Sequence, residues 1–403
     1  MNVLLLTQVL PYPPDSGPKV KTWNVIKYLA ARHSLTLVSF VRGDQSRDIH
    51  VLSRYCRVYT TPMVRGMIPD AAAMLRSLLS GQPWMMVRDD RSAMRRLIDS
   101  ITSRENFDLV HADQLNMAQY AWQVQNARRV LDAHNALWLL YKRLWETMPQ
   151  GPRRWILGRD WQLLKQYEGR ICLDFDGILS VSHEDKAALQ QAMHSAGQKT
   201  KPVTVIPIAV DTDETEYITR DNDASHILHI GTMYWQPNID AVLWFINQVF
   251  PLIKAEKPAV QFDVLGTRPP QELLSLNENG SGINVTGYVA DPTTYLKKTG
   301  VMVVPLLAGG GMRVKILTAL AQGLPIVTTS LGCEGIAVEP GVHLLIADNP
   351  HNFAQAVLHL LNHPDFATEL GRNGRKLIIE KYDYRQACQP LDAVYGINKS
   401  NEK

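Results

Sequence analysis

Residues Pro305 to Gly335 hold the densest set of groups able to grip an anion. An apolar run, Val301 to Val304, ends at Pro305; Gly309, Gly310 and Gly311 follow, and Met312-Arg313-Val314-Lys315 opens a segment that reads as an apolar helix. Successive glycines let backbone N–H groups approach an anion closely. The helix N-terminus adds partial positive charge. Arg313 can hold phosphate oxygens in a fork, and Lys315 adds a second full charge. Basic residues at a helix N-terminus oppose the macrodipole, so their presence there calls for an anion. Thr318 falls one turn beyond Lys315 on the same face. The chemistry this set would do is to bind a diphosphate.

Two further groups end apolar runs in the first half. Leu131-Asp132-Ala133-His134-Asn135 closes one run and His111-Ala112-Asp113-Gln114 another. In parallel α/β sheets ligands sit beyond the carboxyl ends of strands. His134 there can hydrogen-bond a ligand or the reacting centre, with Asp132 orienting it. The same placement applies to His111 and Asp113. In the second half, Gly231-Thr-Met-Tyr-Trp-Gln-Pro-Asn238 follows an apolar run, and no Lys or Arg occurs between Gly231 and Leu252. Asn238 reads as the cap of the helix that follows. The first loop, Thr7 to Lys19, carries Pro11, Pro13 and Pro14 and a single glycine, Gly17. A dinucleotide-binding unit would show GxGxxG there, so a nicotinamide enzyme is disfavoured. There is no HExxH, no DxD in a donor loop and no cysteine–histidine ligand set. No metal or other cofactor is expected.

The elements that must position these groups alternate between short apolar runs and amphipathic stretches, the pattern of βαβ units around parallel sheets. Val3–Leu6, Leu35–Val41, Phe107–His111, Arg129–Asp132, Asp176–Ser182 and Val203–Ile206 read as strands of a first domain, with helices at Trp23–Arg32 and from about His183. The pattern restarts with Ile227–Ile230, Gln261–Leu265, Ile283–Val285, Val301–Val304, Pro325–Thr329 and Leu344–Ile346, and a helix from about Asn238 to Leu252. Pro207 and the acidic run to Glu216 interrupt the periodicity between the two. The expected fold is therefore α/β, with two Rossmann-like, doubly wound domains and a ligand cleft between them. The expected division is 1–208, 209–380 and a final segment 381–403.

Gly309-Gly-Gly-Met-Arg-Val-Lys-Ile-Leu-Thr-Ala-Leu-Ala-Gln-Gly-Leu-Pro-Ile-Val327, followed by Gly332-Cys-Glu-Gly335, resembles the family 4 glycosyltransferases of the GT-B fold. The resemblance extends over nearly the whole chain and is nearest the bacterial branch that works in exopolysaccharide and other envelope glycans. It implies transfer of a sugar from a UDP- or GDP-sugar to a glycan, lipid-linked or small-molecule acceptor, with retention and without a metal. It assigns Gly17 and, with it, Lys19 to the cleft-facing first loop, His134 to the neighbourhood of the donor sugar, and Gly231 to the donor loop. It also implies that residues 381–403 form a helix crossing back to the first domain. Many relatives bind the ribose through a glutamate where this chain has Thr318; Glu334 is the acidic residue nearest in sequence that could serve instead. A nucleotide-sugar epimerase of the same fold and a degenerate nucleotide-binding scaffold are the alternatives.

Charge divides unevenly. Residues up to Ile208 hold 27 Lys and Arg against 18 Asp and Glu; the remainder holds 15 against 21. A basic first half fits an anionic partner. Basic and aromatic residues interleave in Met63–Ile101 and Arg153–Arg170, which fits peripheral contact with the inner face of a membrane. No nucleic-acid motif accompanies the basic half. The N-terminal apolar run is too short for a signal peptide, and no run reaches a membrane span, so a cytoplasmic location is expected. The four cysteines are dispersed, which suits a reducing compartment.

Overall fold

The structure, a computed structural model, describes residues 1–277, 280–309 and 311–396. Gly310, one of the expected anion-binding glycines, lies outside the described residues. The chain divides into two compact units, one of residues 1–208 with 387–396 and one of residues 209–386.

The first unit is built on a seven-stranded parallel sheet. Its strands are β1 (Asn2–Thr7), β2 (Ser34–Val41), β3 (Arg57–Pro62), β4 (Leu109–Asp113), β5 (Arg128–Ala133), β6 (Gly177–Ser180) and β7 (Thr204–Val205), in the order β3-β2-β1-β4-β5-β6-β7. Val3 to Thr7 are buried without a break, as a central strand covered on both faces requires. Strand β3 has no counterpart among the runs read from the sequence. It is an edge strand with only Thr61 buried, so it lacks a continuous apolar run, and Pro62 closes it where no ladder partner is needed.

The first helix runs Gly17–Ala30, not from Trp23. Ser16 is extended at its N-cap, and Pro18 supplies a helical φ in the first turn. Lys19, Lys21 and Thr22 are therefore helical residues. The end of the described chain belongs to this unit: helix Pro390–Tyr395 is tied to it by Tyr28 Oη, which donates to Asp392 at 2.9 Å.

The second unit carries a six-stranded parallel sheet of β8 (His226–Ile230), β9 (Phe262–Leu265), β10 (Ile283–Gly287), β11 (Thr299–Val304), β12 (Ile326–Thr328) and β13 (Leu345–Ile346), in the order β10-β9-β8-β11-β12-β13. Val264, Val301, Val303 and Val327 of the sheet pack against Phe245, Phe250 and Phe353. The helix after β8 starts at Gln236 and passes through a π-helical turn at Phe245–Val249 into Phe250–Glu256. The wider turn accommodates Pro251, which has no N–H to give.

Both sheets have a topological switch point. In the first, the order reverses between β1 and β4; in the second, between β8 and β11. In open α/β sheets, loops leaving two such strands diverge, and ligands bind in the crevice at their carboxyl ends.

Candidate active site

At the second unit's switch point, β11 leads into the glycine loop and β8 into Gly231. Gly309 and Gly311 have φ of 120° and 79°, a region that side chains avoid, so the loop's path needs glycine. The loop is pinned from β12: the Thr329 hydroxyl donates to the Leu306 carbonyl at 2.6 Å. Met312 is buried. Arg313 occupies the N-cap position of helix Val314–Ala321 with an extended backbone. Its Nη2 lies 3.0 Å from the place a Cβ on Gly309 would take, so the guanidinium rests on the glycine backbone.

Lys315 reaches toward β8. Its Nζ donates to Asn238 Oδ1 at 3.1 Å, while Asn238 Nδ2 donates to the Thr232 carbonyl at 2.9 Å. Asn238 is thus not the helix cap expected from its position. The helix begins two residues earlier, and the side chain spans from the lysine to the Gly231 loop. A methyl group on Gly231 would lie 2.7 Å from Lys315 Nζ and 3.2 Å from His229 Nε2. The backbone is equally tight behind it: a Cβ on Gly266 would fall 1.6 Å from the Gly231 carbonyl oxygen.

Burial, reinforced by the Arg313 guanidinium, pulls the Lys315 ammonium down to about 7. Burial and then Lys315 push His229 down to about 3, so its ring is neutral. With Nδ1 donating to the Val303 carbonyl at 2.9 Å, Nε2 holds a buried lone pair with no partner among the described residues. An anion placed beside Gly231 would therefore meet an ammonium whose charge is poorly neutralised.

His229 escaped the sequence reading because it sits inside an apolar strand run. Its signal was a titratable residue two positions before Gly231. Arg268 was missed too. It follows β9, and its guanidinium lies 5.6 Å from the Tyr234 ring, bringing a cation to the Gly231 loop, which has none of its own. Thr318 is partly buried on Val314–Ala321, one turn from Lys315, and Glu334 lies in the turn after β12. Gly231→Ala is expected to destabilise the protein by about 1–3 kcal/mol by driving Lys315 Nζ from its place; thermal unfolding of the variant checks it.

In the first unit the carboxyl ends of the paired strands β4 and β5 bring four expected residues together: His111, Asp113, Asp132 and His134, all buried. His134 Nε2 lies 2.9 Å from Asp113 Oδ1 and 4.0 Å from Asp132. The carboxylate that orients His134 is therefore Asp113, not Asp132. Thr22 Oγ1 meets the same Asp113 oxygen at 2.8 Å. With Nε2–H given to Asp113, His134 Nδ1 carries a lone pair that no described residue uses.

Asp132 belongs to a different pair. The ammonium of Lys21 bonds it directly, and the lysine and aspartate side chains are 1% and 0% exposed. Burial alone would raise this carboxyl, but Lys21, with smaller help from His111 and His134, holds it well below the usual carboxylate range. His111 Nε2 stands 3.6 Å from Asp132 Oδ2, and its Nδ1 meets Tyr395 Oη at 2.6 Å. Lys21 and Thr22 were not singled out from the sequence, because they sit mid-helix without a motif. Lys19, which was, pairs with Asp15 at 3.0 Å outside this cluster; Gly17 opens the helix.

His111, Asp113 and Asp132 offer ligand atoms within 4.8 Å of one another, enough to hold a metal ion. Lys21 already supplies the positive charge at Asp132, so the set is better matched to a protein ammonium than to an added cation. Tyr395→Phe is expected to cost about 1 kcal/mol by removing the His111 hydrogen bond; thermal unfolding of the variant measures it.

Both halves of the chain match known families. Residues 16–214 match the family described as Glycosyltransferase Family 4, and residues 224–363 match Glycosyl transferases group 1. An uncharacterized 44.6 kDa protein in the cps region of Klebsiella pneumoniae is 20% identical over 97% of this chain and 98% of its own length. Among solved structures, HepE of Anabaena in complex with UDP superposes with a TM-score of 0.66 at 14% identity, covering 98% of this chain and 100% of that one. Sucrose-phosphate synthase of Thermosynechococcus elongatus gives 0.70 at 14% identity, covering 98% of each chain. With two doubly wound units, each half matched by its own family model, this chain belongs to the GT-B glycosyltransferases of group 1 and family 4.

Proposed function

We propose that the protein transfers a sugar from a nucleotide-sugar donor, with the second unit holding the donor diphosphate and the first unit's buried cluster serving the sugar and acceptor. The observation that carries this reading is the cluster of Gly231, His229, Asn238 and Lys315 at a switch point, with Lys315 on the helix that follows a glycine-dependent loop and Arg313 at its N-cap. Arg313 and Lys315 take the negative charge that develops on the leaving diphosphate, the work a metal does elsewhere. His134, oriented by Asp113, presents Nδ1 to a sugar or acceptor hydroxyl. The transfer proceeds with retention and without a metal ion. HepE, of the same fold, has been solved with UDP and with UDP-glucose, which supports a UDP-sugar donor here. The relative from a cps region supports an acceptor in polysaccharide biosynthesis, a growing glycan or a lipid-linked one. Thr318 leaves the ribose without the usual carboxylate on that helix, and Glu334 is proposed to take the role. Among the described residues no helix is long and apolar enough to cross a membrane.

A screen of UDP- and GDP-sugars for thermal stabilisation tests the donor, and release of free nucleotide in the presence of glycan acceptors tests transfer. One nucleotide family is expected to stabilise the protein, with turnover unchanged by EDTA. Loss of turnover on chelation, restored by a divalent ion, would overturn the metal-free mechanism. Modification of the donor with no acceptor added would indicate an epimerase instead.

A further inference from the structure

Helix Met67–Ser80 of the first unit is inside out. It packs inward through Ala73 and Ser77. At 100° per residue, Ile68, Leu75 and Leu79 share the opposite face. They are 85%, 59% and 81% exposed, and Met67 beside them is 91% exposed. A surface helix of a globular protein ordinarily turns its apolar stripe to the core and its charges to water. A second element adds to this surface. Arg159 of helix Pro152–Asp174 donates to the Ser77 carbonyl at 2.6 Å, and Trp155, one turn earlier on that helix, is 67% exposed.

Helix Met67–Ser80 also borders, through Arg76, a cavity of about 290 Å³ lined by Arg76, Asp90, Arg91, Ser92 and Arg95. Three guanidinium groups there face one carboxylate, and Asp90 is already engaged by Arg95 Nε at 2.8 Å. Arg91 Nε and Nη2 are buried and have no hydrogen-bond partner among the described residues. Buried donors of this kind cost free energy until an acceptor fills the site. An oxyanion would fill it, and one tethered to an apolar body would satisfy the neighbouring stripe as well.

We propose that this face docks on an anionic phospholipid bilayer, with Met67, Ile68, Leu75 and Leu79 in the acyl boundary and a lipid phosphate in the arginine cavity. The pairing of an apolar stripe with adjoining arginines is what an interfacial helix needs, since buried apolar area and attraction to anionic headgroups both contribute. The excess of 27 basic over 18 acidic residues in the first 208 positions favours the same surface. The docking does not depend on the donor chemistry proposed above.

Sedimentation of the full chain with vesicles tests it. The protein is expected to partition onto equimolar phosphatidylglycerol–phosphatidylcholine vesicles, about tenfold or more better than onto phosphatidylcholine alone. The variant Ile68→Glu/Leu79→Glu is expected to lose at least about tenfold of that partition. Arg76→Ala/Arg91→Ala is expected to lose about tenfold and to show a flatter salt dependence. Both sets of positions lie outside the donor and acceptor clusters, so thermal stabilisation by UDP should be unchanged, which separates failure here from failure of the glycosyltransferase reading. Absence of wild-type binding, or equal binding by the apolar variant, would overturn the proposal. So would sedimentation velocity showing a wild-type dimer that Ile68→Glu/Leu79→Glu converts to monomer, since the face would then belong to a second copy of the chain.

Discussion

Replacement of Lys315 by alanine is expected to lower kcat by about 100- to 1,000-fold, the usual loss when one preorganised charge-stabilising donor is removed. The lysine is held by Asn238 beside Gly231, and its charge is poorly neutralised there because the neighbouring imidazole is neutral and Arg313 is cationic. The same environment makes donor binding sense pH. With its pKa down at about 7, Lys315 is near half-protonated in the free protein at neutral pH. A diphosphate favours the ammonium, so binding takes up protons and weakens as pH rises above 7. Calorimetry of UDP binding in buffers of different ionisation enthalpy reads the uptake directly. Wild type should show it near pH 7.5, and Lys315→Ala should show less. The unliganded protein carries the opposite sign. Between about 7 and 10.5 the unfolded lysine binds more protons than the folded one, so this residue's burial becomes less costly as pH rises through that window. Comparing the stability of wild type and Lys315→Met across it isolates the effect. A donor affinity equal in wild type and Lys315→Ala at all pH values would remove the residue from the site.

Lys21→Met is expected to be the most damaging change to stability, at about 3–5 kcal/mol, because it leaves Asp132 charged and buried without its partner. For a unit of this size that corresponds to a fall of roughly 10 °C in melting temperature. Lys21→Met/Asp132→Leu should recover much of the loss, since removing both charges also removes their desolvation cost. The two changes then fall far short of additive, the mark of a direct pair. Asp132's folded pKa is depressed, so the pair's contribution is complete above the unfolded carboxylate value near 4 and fades as acid takes the pH below it. If the double variant were as unstable as the sum of its parts, the pair would not be what holds the cluster.

The two halves of the chemistry were legible to different degrees. The proposed anion cradle is read from residues close in sequence: the glycines, Arg313, Lys315 and the helix they open all lie within a few positions, so spacing alone implies proximity. The partners of Lys315 could not be read that way. Asn238 and His229 lie far away in the chain, and only the parallel pairing of β11 with β8 brings them beside the lysine. In the first unit, His111, Asp113, Asp132 and His134 were recognisable as residues at strand ends, because buried parallel strands show as continuous apolar runs whose last residues must face the ligand side. Which carboxylate served which histidine was not recognisable. Neighbouring residues on a strand point to opposite faces, and the choice of Asp113 over Asp132 for His134 depends on the register of β4 against β5 and on where Lys21 enters from the first helix.

By itself, then, the sequence determined the alternation of elements and the two α/β halves, and it singled out the glycine loop proposed to grip a diphosphate, since each is written in local periodicity and local composition. Tertiary structure alone decided that Lys21 neutralises Asp132, that Tyr395 from the far end of the chain reaches His111, and that Met67–Ser80 turns its leucines outward. Pairwise contacts across tens or hundreds of residues leave no periodic trace, and an amphipathic stripe shows which residues lie together without showing which way they face.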